Sequence, residues 1–332
     1  MPGLMNELFE QGPSPVDRRR WLGQTLGAFA GMTLAHRVGA TPRQSRTFFP
    51  GFENVRVETS DGVTIHAVVG GQGPPVLLLH GAPQSHITWR EVGPRLAEEY
   101  TIVAADLRGY GDSSKPPGLS DHSNYSKRVM AQDQVDVMRH LGFDTFALIG
   151  QDRGGRVAHR LVLDHPDRVT RVAVMDIVPA HYLYHHVTIE FVQAYFHWFS
   201  WLRPAPIPEN ELVAQYEARA RSGAPLSPAQ AEYQRTNQNF EGAHAMCEDY
   251  RASASIDLIH DEADIDQRIE VPLRVLWAEV GAMDRIYDVI EIWQGRGTRV
   301  SGRPMPGGHN MQEGAPDEVF AELGSFLSGS TD

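Results

Sequence analysis

The segment Gly150-Gln151-Asp152-Arg153-Gly154 carries the sharpest chemical signal in the sequence. It follows the apolar run Phe146–Ile149 and opens a helical stretch, so a buried strand turns directly into a helix. A Gly-x-nucleophile-x-Gly turn of that kind is strained and lifts its central side chain above the sheet. Here that side chain is an aspartate, not a serine or cysteine. Serine suits an acyl carbon and leaves a hydrolysable ester; on saturated carbon it would leave a stable ether. A carboxylate that displaces a leaving group from saturated carbon leaves an alkyl ester, which water then cleaves. Asp152 therefore points to cleavage of a carbon–halogen bond or of an epoxide C–O bond. The bland alternative is an ordinary turn aspartate that caps a helix.

Two cations adjoin this turn. Arg153 and Arg156 are three apart at the start of the predicted helix and share a face. Two guanidinium forks beside a helix N-terminus suit a carboxylate. A surface pair bridging to Asp164 or Asp167 is the alternative. His309, behind Pro306-Gly307-Gly308, has the chain order of a general base that follows nucleophile and acid. Two acids stand in order to orient it. Asp176 ends the strand after the turn, and Asp284 lies just past the next strand.

These residues need a frame. Val55, Val57 and Thr59 alternate, Asp61-Gly62 turns, and Val63 to Val69 alternate back, which predicts a hairpin. Further strands are predicted at Val76–Leu79, Ile102–Ala105, Phe146–Ile149, Val172–Met175 and Leu273–Trp277, with a weaker one near Arg299–Ser301. Continuous apolar runs alternating with helix-length segments imply a mostly parallel sheet covered on both faces. The alternation stops between 180 and 266. That stretch holds Phe191, Tyr195, Phe196, Trp198, Phe199 and Trp201 and reads as a helical cap inserted between two strands. Pro316-Asp317 opens a last helix, with Val319, Phe320, Leu323, Phe326 and Leu327 at helical spacing. The division expected is core over 52–179, cap over 180–266 and core again over 267–329.

The 332 residues include 30 Lys and Arg against 42 Asp and Glu, a formal charge of −12. That balance argues against nucleic acid as a partner. A lone cysteine, Cys247, excludes an intrachain disulfide and speaks against a cysteine-based metal site. No metal or nucleotide motif is present, so no cofactor is expected. No apolar run is long enough to span a bilayer, so no membrane is expected for the mature chain. At the N-terminus, Arg18, Arg19 and Arg20 precede the mildly apolar run Trp21–Ala35, and Val38-Gly39-Ala40 offers a small-residue exit. This predicts an export signal of twin-arginine type over 1–40, a linker over 41–51 and a periplasmic or exported product. The alternative is a frayed N-terminal helix on a cytoplasmic protein.

Taken together, HGAPQ (His80–Gln84), ADLRGYGDSSKP (Ala105–Pro116), DRGGR (Asp152–Arg156), VMDIVPA (Val174–Ala180), YFHW (Tyr195–Trp198), MCEDYRA (Met246–Ala252) and GGH (Gly307–His309) resemble the α/β-hydrolase superfamily, and within it the haloacetate (fluoroacetate) dehalogenases. The resemblance runs from about Phe52 to Leu327. It implies an eight-stranded α/β-hydrolase fold and cofactor-free hydrolysis of a short 2-halocarboxylate through an aspartyl ester. It implies Asp152 as nucleophile, His309 as base and Asp176 as the acid, with Arg153 and Arg156 on the substrate carboxylate. It further implies His197, Trp198 and Tyr233 as halide donors, and the backbone N–H groups of Ala82 and Arg153 as oxyanion hole. A small anionic substrate is the partner expected, with a homodimer as a possible assembly. Two residues depart from the family pattern. Ala82 stands where a Phe is usual, and Gln151 where a His is usual. An epoxide hydrolase with Tyr182, Tyr184, Tyr195 or Tyr233 as donors is the rival activity. A non-catalytic binder of small acids is the rival outside enzymes.

Overall fold

The short apolar runs pair into one sheet because each can be buried on both faces. The computed structural model describes residues 48–329. Its strands are β1 (Glu53–Glu58), β2 (Thr64–Gly70), β3 (Pro75–Leu79), β4 (Thr101–Ala105), β5 (Phe146–Gln151), β6 (Val169–Met175), β7 (Leu273–Ala278) and β8 (Val300–Met305). They lie in the order β1-β2-β4-β3-β5-β6-β7-β8. The β1–β2 and β2–β4 pairs are antiparallel and the rest are parallel. The export signal expected over 1–40 lies outside the described residues, as does most of the linker expected over 41–51. Among the described residues no helix is long and apolar enough to cross a membrane.

Strand periodicity sorts the core into two layers. Leu77, Leu79, Leu148, Val172 and Val174 face one side, with Val157 and Leu161 of the helix Arg153–Asp164. Val76, Leu78, Ile149, Ala173 and Met175 face the other, with Val319, Leu323 and Phe326 of the helix Pro316–Ser328. The weak strand predicted near Arg299–Ser301 is instead the six-residue edge strand β8. Its sequence, VSGRPM, has no apolar run because only Met305 is buried, so it lacks the signature of a strand covered on both faces.

Seven helices separate β6 from β7, beginning with Ala180–His185 and ending with Ile256–Ala263. They include the short helix His197–Ser200 and the longer ones Pro228–Asn237 and Phe240–Ser253. Edge-to-face contacts of the Tyr250 ring with Trp198 at 5.4 Å and Trp201 at 4.8 Å join these helices. Cys247 is buried and free.

Register decides where chemistry collects. Leu79 pairs with Gly150, Gln151 with Met175, and Met175 with Leu276. The residues that follow, His80 to Ala82, Asp152 and Asp176, therefore emerge side by side at the carboxyl edge of β3, β5 and β6. In open α/β sheets that edge is where ligands bind. The turn at Asp152 requires its glycines. A Cβ on Gly150 would lie 2.4 Å from the Gly154 carbonyl oxygen, and one on Gly154 would lie 2.5 Å from that of His80. Gly154→Ala should lower stability by about 1–3 kcal/mol through this overpacking. Urea denaturation checks it, and an unchanged midpoint would contradict the close approach.

Candidate active site

Asp152 sits at φ +47°, a strained conformation for a residue with a side chain. Its own N–H donates to the Met175 carbonyl at 3.1 Å, and its carbonyl accepts from Arg156 N–H at 3.1 Å. Backbone bonds on both sides thus hold the strain in place. The Ala82 N–H donates to Asp152 Oδ2 at 3.2 Å. Arg153 is the first helical residue after the turn, and its N–H is among those a helix start leaves without an intrahelical acceptor. Of the expected oxyanion hole, the Ala82 N–H thus reaches the carboxylate.

Three sequence candidates come together. His309 Nδ1 donates to Asp176 Oδ2 at 2.5 Å, while His309 Nε2 lies 3.8 Å from Asp152 Oδ2. Asp176, at φ +54°, accepts the Ala278 N–H on its other oxygen at 2.9 Å. Asp284 instead accepts the Trp277 indole N–H at 2.7 Å. Position therefore selects Asp176 over Asp284 as the partner of His309.

Electrostatics ties these groups into a unit. Burial pushes the Asp152 carboxyl up, yet the His309 imidazole and the two guanidinium groups outweigh it and hold the pKa at about 2. Burial likewise disfavours charge on His309, but the carboxylates of Asp152 and Asp176 outweigh it and raise its pKa to about 10. At neutral pH the resting site thus holds an ionised aspartate beside an imidazolium.

The two arginines differ. Arg153 is fully buried and gripped by Asp249. Its Nε donates to Asp249 Oδ2 at 2.8 Å and its Nη2 to Oδ1 at 2.7 Å, with Ser253 Oγ also accepting from Nη2 at 2.5 Å. Tyr110 OH donates to Asp249 at 2.6 Å, and Lys127 Nζ donates to it as well. Only Nη1 of Arg153 is left without a partner. Arg156 lies with its guanidinium 4.7 Å from the Trp198 ring centre, and its Nη1 donates to the Val178 carbonyl at 3.0 Å. Its Nε is buried and unpartnered. Burial and the neighbouring Arg153 charge lower its pKa from the usual arginine value. Asp164, offered as a bridging acid, pairs with Arg128 and Arg160 instead, and Asp167 lies beside Arg168.

Aromatic groups line the other side. His197 packs on Tyr250 at 5.7 Å between ring centres, and burial lowers its pKa to about 4, so it is neutral at pH 7. Trp198 is buried against Tyr184, Phe191 and Tyr250. The expectation for Tyr233 is corrected. Its ring packs with Ile87 and Ala229 in a separate cluster, and its hydroxyl donates to Glu313 Oε1 at 2.5 Å. The place next to His197 and Trp198 is taken by Tyr250, whose ring also lies 4.3 Å from the Arg153 guanidinium. Sequence reasoning placed MCEDYRA among the shared blocks but assigned roles to neither Asp249 nor Tyr250. The adjacent acid and phenol on one helix were the available signal. Of the tyrosines named for the rival activity, Tyr195 is buried here and Tyr184 is half-buried. The Tyr184 hydroxyl is unpartnered, and burial raises its pKa to about 12.

Residues 74–214 match the α/β hydrolase fold family. The chain is 42% identical to a fluoroacetate dehalogenase from a Burkholderia species over 290 residues, 84% of this chain and 95% of that protein. The chain belongs to the α/β-hydrolase superfamily and, within it, to the fluoroacetate dehalogenase family. It is therefore a hydrolase of a family that acts on carbon–halide bonds. A solved structure assigned to the α/β hydrolases, from Nostoc sp PCC 7120, superposes with a TM-score of 0.80 at 47% identity, covering 83% of this chain and 98% of that one. A soluble epoxide hydrolase from Corynebacterium is 44% identical, but over 36% of this chain and 40% of its own length.

The charge arrangement has a measurable consequence. The raised pKa of His309 adds stability that is complete below its unfolded value near 6.5 and is lost as pH climbs through about 10. The lowered pKa of Asp152 adds stability present above its unfolded value near 3.8 and lost as pH falls through about 2. Asp152→Asn should shift the His309 titration, read by NMR of the ring, to lower pH. An unmoved titration would mean the two groups are not coupled.

Proposed function

We propose that the protein hydrolyses short 2-halocarboxylates to 2-hydroxyacids through an ester on Asp152. The observation that carries this reading is Arg156, a buried cation with no carboxylate within salt-bridge distance among the described residues. An unpaired buried charge costs several kcal/mol, so the site favours whatever anion supplies the missing partner. A substrate carboxylate reaching these guanidinium groups would supply partners for Arg153 Nη1 and Arg156 Nε, which have none.

The rest of the geometry fits a displacement. Asp152 Oδ2 is held by the Ala82 N–H, which leaves Oδ1 to attack the α-carbon. A carbon–oxygen bond forms as the carbon–halogen bond breaks, with inversion, and halide leaves. Neutral His197, the Trp198 indole and the Tyr250 hydroxyl are the donors that receive it. Tyr250 here replaces Tyr233 of the sequence-based expectation. Fixed donors matter most for fluoride, which gives up strong hydration on entering such a site.

Esterification removes the negative charge from Asp152. One of the two carboxylates that raise the His309 pKa is then gone, so the imidazolium loses its proton more readily and becomes a base. His309 takes a proton from water, and the resulting hydroxide adds to the Asp152 carbonyl carbon. The oxyanion is received by the Ala82 and Arg153 N–H groups. Collapse restores Asp152 and frees the 2-hydroxyacid, and the extra proton passes to solvent.

Epoxide hydrolysis is the second reading. It is favoured by the unpartnered Tyr184 hydroxyl and shares the same nucleophile and base. A neutral epoxide, however, leaves Arg156 without a counter-ion.

Ion chromatography of halide released from fluoro-, chloro- and bromoacetate tests the first reading, with styrene oxide assayed alongside. Release from at least one haloacetate, with slower or no opening of styrene oxide, is the expected outcome, and the reverse would establish the rival. Asp152→Asn should abolish turnover. His309→Ala should reduce it by about 10²–10⁴-fold, the range for loss of a general base, and trap the covalent adduct seen by intact mass. Sustained halide release by either variant would remove these roles. Restoring the family's bulk with Ala82→Phe should cut kcat/KM for 2-chloropropionate more than for chloroacetate. Equal effects would mean that position 82 does not border the α-substituent.

A further inference from the structure

Three polar features have no part in the chemistry above: the Gln151 carboxamide, the segment after His309, and Tyr233. They form one connected structure. Gln151 Nε2 donates to the His309 carbonyl at 3.0 Å and reaches Asn310 Oδ1 at 3.5 Å. With the Gln84 carboxamide turned, its oxygen lies 3.0 Å from Asn310 Nδ2 and 2.9 Å from Asn310 Oδ1, of which only the nitrogen can donate to it. Gln84 Nε2 then lies 3.2 Å from the carbonyls of both Gly81 and Ala82. Farther along, Gln312 Nε2 donates to Thr88 Oγ1 at 2.7 Å, and Arg90 Nη1 donates to Glu313 Oε1 at 2.7 Å. Asn310, Gln312 and Glu313 thus meet Gln84, Thr88 and Arg90 rung by rung. The helix Pro228–Asn237 closes the ladder. Tyr233 OH donates to Glu313, and Asn237 Nδ2 donates to the Pro83 carbonyl at 2.7 Å.

We propose that this polar ladder is a positioning device for His309 in the ester-hydrolysis step, and that Tyr233 is the positioning residue that ties it to the helical insertion. The inference rests on the reading of Asp152 and His309 given above. Its physical basis is that the His309 ring itself has a single hydrogen-bonded anchor, Asp176 at Nδ1. The preceding Gly307 and Gly308 both adopt positive φ, and Gly307 packs on Gly314 and Ala315, where an added Cβ would lie 2.7 Å from the Ala315 nitrogen; this places the loop backbone but not the ring. The ring is anchored at Nδ1 by Asp176, but its Nε2, 3.8 Å from Asp152, is beyond hydrogen-bond range. The backbone on the other side of the ring is what Gln151 and the ladder hold. The rungs nearest the imidazole are neutral carboxamides, which fix position without adding charge beside a group that must change protonation during the cycle. The same rungs fasten Gly81 and Ala82, so the oxyanion N–H and the base move as one. Attack by Asp152 on carbon needs no base, so loss of the ladder falls on the second half of the reaction.

The test separates the two half-reactions. Tyr233→Phe keeps the ring and its packing, while Gln151→Met and Asn310→Ala remove rungs. Rapid-quench assays with chloroacetate should show a first equivalent of chloride released within about 3-fold of the wild-type rate. Steady turnover should then fall by about 10-fold or more, the lower end for loss of a supporting hydrogen bond. The Asp152 ester should accumulate by intact mass. The Gln151→Met/Asn310→Ala double variant should lose less than the product of the single losses, because the two share one network. Unchanged turnover with no accumulated ester would overturn the proposal. So would a first equivalent slowed as much as turnover in Tyr233→Phe, which would put that hydroxyl at the leaving group. If the wild type releases no halide from any monohaloacetate, it is the functional reading that fails. Amide hydrogen exchange over residues 309–312 then decides the ladder: faster exchange in Tyr233→Phe upholds it and unchanged exchange removes it.

Discussion

An ionised carboxylate held out of water among cations is the constraint on which the molecule depends. Asp152 is buried, yet its pKa is about 2, because His309 and two guanidinium groups face it. Burial alone would have pushed that carboxyl toward neutrality. The cations therefore keep it ionised. One of them, Arg156, has no carboxylate within salt-bridge distance among the described residues, and a buried cation left unpaired favours an anion beside it.

The sheet and the helical insertion supply different halves of this balance. Parallel strands bring Asp152, Asp176 and the Ala82 N–H to one edge through register alone. The insertion contributes the groups that tune them. Asp249 neutralises and immobilises Arg153, leaving a single nitrogen to meet a ligand. The rings of His197, Trp198 and Tyr250 lie beside the arginines and make that part of the site poor in water. Low dielectric strengthens every interaction across it, including the penalty for a wrong charge. A change of charge on Asp152 would therefore be felt strongly at His309.

Such a site carries strain, and the fold contains it locally. Asp152 and Asp176 both adopt positive φ, which an aspartate does not favour without support. Each is fixed by a hydrogen bond from its own N–H to the neighbouring strand, Asp152 to Met175 and Asp176 to Leu276. The strain sits at the two acids that act on His309, where a relaxed backbone would aim the carboxylates elsewhere.

The sequence by itself determined the frame and singled out Asp152 and His309 as candidates. Apolar runs of strand length between helix-length segments specified a mostly parallel sheet, because strands buried on both faces have no polar side to show. Gly-x-Asp-x-Gly behind one of those runs specified a raised carboxylate, because the close backbone approach tolerates no Cβ. Only tertiary structure decided which acid meets His309, since Asp176 and Asp284 have equivalent places in chain order and differ only in where the strand ends aim them. It also replaced Tyr233 with Tyr250 and brought forward Asp249. Those choices depend on how several short helices pack over the sheet, and nothing local in 180–266 fixes that packing. Periodicity reports which face of an element is buried. It does not report which distant side chain that face will meet.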